Sequence, residues 1–168
     1  MRQLTLALLF LSTDNPVFAA PTGQDNAVRD IVSGIVSYTH WPALNGKPTL
    51  CIFSSSAYVS ALNRGESVNR PYTPVIVQNE QQALTAQCDA LYFGNETPER
   101  QQQIINHLPS RPLLTLAEQN AECIIGSAFC LQMLPERVSF SVNLDALSRS
   151  GVRVNPDVLM LARNKKHE

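Results

Sequence analysis

The sequence predicts an α/β fold, with a mainly parallel sheet flanked by helices on both faces and an antiparallel C-terminal addition. Three observations lead there. Short apolar runs of strand length alternate with helix-like segments over the first two thirds of the chain, the pattern of βαβ units. In the last third, strand-like pieces follow one another through turns too tight for helical crossovers, so pairing there is antiparallel. The 168 residues are 44% apolar and only 16% charged, which excludes a disordered chain and gives enough apolar side chains for one core.

The elements follow in order. Val28, Ile31, Val32, Ile35 and Val36 recur at helical spacing, an amphipathic helix that Trp41-Pro42 closes. Thr49 to Phe53 reads as a strand. Ser54-Ser55-Ser56 is a helix-start signal for Tyr58 to Leu62, and a polar loop runs from Asn63 to Pro71. Thr73 to Val77 is a β-branched second strand, Glu80 to Ala86 a short helix and Ala90 to Phe93 a third strand. Thr97-Pro98-Glu99 is a cap residue, a proline at the first helical position and an acid at the positive end of the helix dipole; that helix runs to about His107.

Leu113 to Leu116 reads as a fourth strand and Glu118 to Glu122 as a helical turn. Ile124-Ile125, Phe129 to Leu134 and Val138 to Val142 read as three further strand pieces, the last two joined by a turn at Pro135-Glu136. Asn143 caps a helix from Leu144 to Ser150 that Gly151 ends, and Asn155-Pro156 repeats the cap-plus-proline signal before Val158, Leu159 and Ala162. Asn164 to Glu168 is a charged, frayed tail.

Residues 1–19 read as a cleaved export signal: Arg2 is the basic end, Leu4 to Leu11 the apolar core, and Val17-Phe18-Ala19 the small-x-small-like cleavage site. Residues 20–168 then form a single domain. No run of 18 apolar residues follows, and no cysteine stands after the cleavage point to carry a lipid. In a Gram-negative cell the address is the periplasm. A balance of 13 Lys+Arg against 14 Asp+Glu excludes a broad nucleic-acid footprint.

An export signal with four cysteines, Cys51, Cys88, Cys123 and Cys130, argues for two disulfides. Three connectivities are open. Cys123 and Cys130 flank Gly126-Ser127, which can turn the chain and set the two sulfurs face to face across a short hairpin. That leaves Cys51 with Cys88, on or beside neighbouring strands. Chain entropy assigns about 2.5 kcal/mol to the short loop and about 4 kcal/mol to the long one, so the long bridge is a fold staple and the short one a local clasp. No CxxC pair suggests zinc or thiol–disulfide chemistry, so no metal is expected.

Catalytic signals are sparse. His40 and His107 sit at helix ends and His167 in the tail, with no nucleophile paired to them. There is no G-x-S-x-G, no H-E-x-x-H and no phosphate-cradling glycine loop. No cofactor is expected, and a hydrolase or thiol enzyme is the weakest reading. Arg149, Arg153 and Arg163 are candidate anion ligands, each a planar fork suited to carboxylate or phosphate. If they converge, the domain is a small-ligand sensor. Leu144, Leu147 and Val152 are candidates for a partner surface or for core.

The block from Ser141 to Arg163, SVNLDALSRSGVRVNPDVLMLAR, closely resembles the C-terminal signature of the YfiR family of periplasmic proteins. Trp41-Pro42 after the first helix, Ile35 to Tyr38 (IVSY), Leu50 to Phe53 (LCIF) and Glu122 to Cys130 (ECIIGSAFC) are similar to the same family. The resemblance implies a periplasmic repressor rather than an enzyme. It would bind the periplasmic sensor domain of a YfiN-type inner-membrane diguanylate cyclase, lowering cyclic di-GMP and limiting biofilm formation. A YfiB-type outer-membrane lipoprotein would sequester it. The resemblance further implies a homodimer, an α/β sandwich domain, and disulfides Cys51–Cys88 and Cys123–Cys130, the second under redox control.

Overall fold

The computed structural model describes residues 22–65 and 68–163, with side chains as far as residue 160. The export signal at 1–19 and the tail at 164–168 lie outside the described residues. Helix α1 (Gly23–Ser37) starts on a reciprocal cap: the Thr22 hydroxyl accepts from the Asp25 N–H at 3.1 Å, and the Asp25 carboxylate accepts from the Thr22 N–H at 3.0 Å. Its buried residues are Val28, Val32, Ile35 and Val36.

The helix stops before Trp41-Pro42. Thr39 turns its hydroxyl back onto the Ile35 carbonyl at 2.7 Å, and Thr39 and His40 then form strand β1 (Thr39–His40). Strand β2 (Thr49–Phe53), helix α2 (Val59–Asn63), strand β3 (Thr73–Val77), helix α3 (Glu80–Ala86), strand β4 (Ala90–Phe93), helix α4 (Pro98–His107) and strand β5 (Leu114–Ala117) then alternate as the sequence predicts. Strands β6 (Phe129–Met133) and β7 (Val138–Val142), helix α5 (Leu144–Arg149), strand β8 (Arg153–Val154) and helix α6 (Pro156–Arg163) complete the chain.

The main sheet has the order β3-β2-β4-β5-β6-β7, parallel from β3 to β6, with β7 antiparallel to β6. A second, two-stranded antiparallel sheet joins β1 to β8, with Thr39 opposite Val154. Alternation along the strands divides the core between the two faces. Leu50, Ile52, Tyr92, Leu116 and Phe129 pack with α1 and with Val158 of α6. Cys51, Phe53, Leu91, Phe93 and Ala117 pack with Ala83 of α3 and Ile104 of α4. At one edge, Thr73 donates its N–H inward to the Pro48 carbonyl at 2.9 Å, so the next residue, Pro74, turns its donorless nitrogen outward.

Two local expectations are corrected. Glu118 to Glu122 form bends rather than a helical turn, and Ile124-Ile125 form no strand. Cys123 (φ 53°) and Gly126 (φ 80°) both adopt left-handed backbone, which interrupts any extended run between them. The isoleucine carbonyls are taken by side-chain amides instead of a ladder: Asn143 Nδ2 donates to Ile124 at 2.7 Å and Asn120 Nδ2 to Ile125 at 2.7 Å. The connection between the cysteines is therefore an irregular loop and not the hairpin expected.

Candidate functional site

Counting only the parallel strands, the order is that of a flavodoxin-like sheet, and the winding reverses between β2 and β4. Open α/β sheets bind ligands at the carboxyl ends of the strands beside such a reversal. Here that crevice is filled by the chain itself. A Cβ on Gly94 would stand 2.2 Å from the Ser56 nitrogen, so the loops after β2 and β4 touch backbone to backbone. Ser55 donates its hydroxyl to Glu96 at 2.7 Å, and the Gly94 N–H donates to the other Glu96 oxygen at 2.8 Å. Ser56 donates to Glu118 at 2.7 Å and the Ala57 N–H to Glu118 at 2.9 Å.

Glu118 is only 7% exposed. Burial pushes its carboxyl above the usual carboxylate range; the Ala57 and Ser56 hydrogen bonds and Tyr92 pull it back, and Glu96 adds to the rise. The buried Tyr92 hydroxyl lies beside the same carboxylate without the geometry of a full hydrogen bond. Burial, then the Glu118 charge, holds that phenol protonated far above its ordinary range.

Glu118 also opens the loop that leads to β6. The loop joins two parallel strands without a helix, and one disulfide and a set of amides hold it. Cys123 and Cys130 are bonded with Cα atoms 5.7 Å apart; Cys51 and Cys88 are bonded likewise, also at 5.7 Å. Gln101, fully buried on α4, accepts at Oε1 from the Ser127 N–H (3.2 Å), the Ser127 hydroxyl (2.9 Å) and Asn120 Nδ2 (3.2 Å). Its Nε2 donates to the Glu96 carbonyl at 2.8 Å, which ties the loop to the filled crevice. A side chain at Gly126 would meet Gln101 Oε1 at 2.8 Å and the Pro98 carbonyl at 2.9 Å.

The same clasp pushes apolar surface outward. Ile124 is 68% exposed and Ile125 42%. Sequence reasoning missed Gln101, Asn120 and Glu118. Gln101 sits in a run of three glutamines, and nothing local marks the one that turns inward. The available signal was the isoleucine pair itself, two apolar residues inside a disulfide loop too short to bury them.

The other predicted residues separate. Leu144 is 65% exposed, Leu147 packs partly against the core, and Val152 is buried in it. Arg149 lines a cleft of about 520 Å³ together with Arg111, and it is ion-paired with Asp145. Arg111 in turn reaches the Cys88 carbonyl and lies 3.6 Å from Asp89. Arg153 is exposed on β8, opposite His40, and does not line that cleft. The side chain of Arg163 and all of His167 lie outside the described residues. His107 Nδ1 is 2.8 Å from Glu80 on the surface. Among the described residues, no group of three or more His, Cys, Asp or Glu side chains is placed to hold a metal, and no helix is long and apolar enough to cross a membrane.

A parallel sheet with its ligand crevice self-filled, two disulfides and an apolar loop held outward define a disulfide-stapled α/β domain. The chain belongs to the YfiR/HmsC-like family, whose model matches residues 25–163. That family places it among periplasmic regulators of cyclic di-GMP signalling, a regulatory rather than catalytic class.

Proposed function

We propose that the chain is exported after cleavage behind Ala19 and acts in the periplasm as a repressor. It binds the periplasmic sensor domain of a YfiN-type inner-membrane diguanylate cyclase and holds it inactive. A YfiB-type outer-membrane lipoprotein relieves the repression by sequestering it, and the repressor works as a homodimer. The observation that carries this reading is the Cys123–Cys130 loop, which presents Ile124 and Ile125 to solvent on a frame of buried amides. A monomeric domain gains nothing from holding two isoleucines in water; a partner surface does. Reduction of this bridge would remove one of the loop's restraints while leaving the core in place, which supports redox control of the same surface.

The test is cellular cyclic di-GMP in a strain deleted for this gene, with and without the cyclase. The level is expected to rise on deletion and to return to baseline in the double deletion. An unchanged level on deletion in a host that expresses the cyclase would reject the reading.

A second reading rests on the cleft that Arg111 and Arg149 line. Both guanidiniums already have carboxylate partners, so an anion would have to displace Asp145 or Asp89. Thermal stabilisation by a panel of small anions would favour it, since a ligand at 100 times its Kd adds about 2.7 kcal/mol.

A further inference from the structure

A groove of about 740 Å³ lies at the carboxyl edge of the sheet, between the first turn of α4 and the end of β6. Glu99 of α4 lines it together with Glu118, Glu122, Ile124 and Ile125 of the loop between β5 and β6. Leu131 and Met133 of β6 also line it. Among the described residues, no Lys, Arg or His lines this groove, although the whole chain has nearly balanced charge. Glu99 and Glu122 are exposed, and among the described residues neither carboxylate has an ion-pair or hydrogen-bond partner.

Two unpaired carboxylates beside exposed isoleucines are a poor match for a lipid surface or a nucleic acid, both of which are anionic. They match a protein segment that offers apolar side chains flanked by cations. We propose that this groove seats such a basic, apolar segment of the cyclase's periplasmic domain. The inference rests on the repressor reading and names the chemistry its partner must present. The Cys123–Cys130 bridge enters as the support of one wall, because Ile124 and Ile125 lie between the two cysteines.

The test uses the mature, oxidised chain and two synthetic probes, a short alternating lysine–leucine peptide and its glutamate–leucine counterpart. NMR shifts are expected at Ile124, Ile125 and Met133 with the lysine probe alone. The double variant Glu99→Lys, Glu122→Lys should weaken that binding by about tenfold or more, equivalent to about 1.4 kcal/mol, and Glu99→Gln, Glu122→Gln by less. An unchanged melting temperature would show that the variants fold. Shifts elsewhere, equal response to both probes, or no effect of charge reversal would overturn the assignment.

The purified periplasmic domain of the cyclase separates the two readings. Competition with the lysine probe supports the groove. A domain that binds but neither competes nor weakens on charge reversal removes the groove and leaves the repressor intact. A domain that fails to bind the wild-type chain removes the repressor reading and this assignment of the groove's occupant with it, while the peptide shifts still report whether the groove selects basic, apolar chains.

Discussion

The proton on Glu118 is contested by its surroundings. Burial and the neighbouring Glu96 favour the neutral acid, whereas Ser56, Ala57 and Tyr92 favour the anion; burial prevails and the carboxyl titrates above its ordinary range. A folded state that holds a proton more tightly than the unfolded chain has a stability contribution that is complete below the unfolded value. That contribution is lost as pH rises through the folded value. Glu118→Gln mimics the neutral acid and keeps an acceptor for the Ala57 N–H. The stability of the variant relative to wild type should therefore increase as pH is raised from the acid side of the carboxylate range to neutrality. Melting temperatures of both proteins across that range check it, and parallel curves would refute it. Legibility at this scale is uneven. The four cysteines declared themselves through type, number and spacing. Gln101 and Asn120 did not, because an amide's role is set by what folds around it, and its letter is the same on a solvated surface.

Among the elements, the contact of the loops after β2 and β4 depends on the missing side chain of Gly94. Gly94→Ala would drive a methyl into the backbone of Ser55 and Ser56, where no rotamer change gives relief. A loss of about 3 kcal/mol is expected in urea unfolding, at the upper end of overpacking. Retained stability would show that the two loops can separate freely. Two helix starts were readable because capping is local: Thr97 with Pro98, and Asn143, cap the helices that the sequence assigned to them. Ser54-Ser55-Ser56, by contrast, cap nothing, since Ser55 and Ser56 bond Glu96 and Glu118 and α2 starts behind Tyr58 without a side-chain cap. The paired strands β1 and β8 were not readable, since two residues carry no period and their partners are more than a hundred positions away. Ile124-Ile125 misled for the converse reason. β-Branched residues suggest a strand, but two left-handed positions and competing amides decide the backbone there.

For the molecule as a whole, the two bridges differ in reach. Cys51–Cys88 spans 37 positions and joins β2 to the approach of β4 inside the core; Cys123–Cys130 spans seven and closes one loop. The double variant Cys51→Ala, Cys88→Ala should lose about 4 kcal/mol, and Cys123→Ser, Cys130→Ser about 2.5 kcal/mol. Denaturant midpoints measure both, and a reversed order would show that the short loop stabilises the native state beyond closing its own ring. The alternation of strands and helices was visible in the chain, and with it the parallel class and the antiparallel ending. The order of strands was not, because every strand from β2 to β6 is apolar throughout or nearly so, and no pattern tells neighbours apart.

Pro74 bears on how many copies can join. Growth of a fibre by edge-to-edge addition needs two receptive borders on every unit, one to accept and one to offer. The β3 border presents a nitrogen without hydrogen and is a poor template. Lengthening from the β3 side is disfavoured, because Ile76 is left as the outward-facing donor of that strand, and a unit with one favoured border pairs more readily than it chains. A single ring thereby tilts this YfiR/HmsC-like domain toward finite pairs and away from fibres.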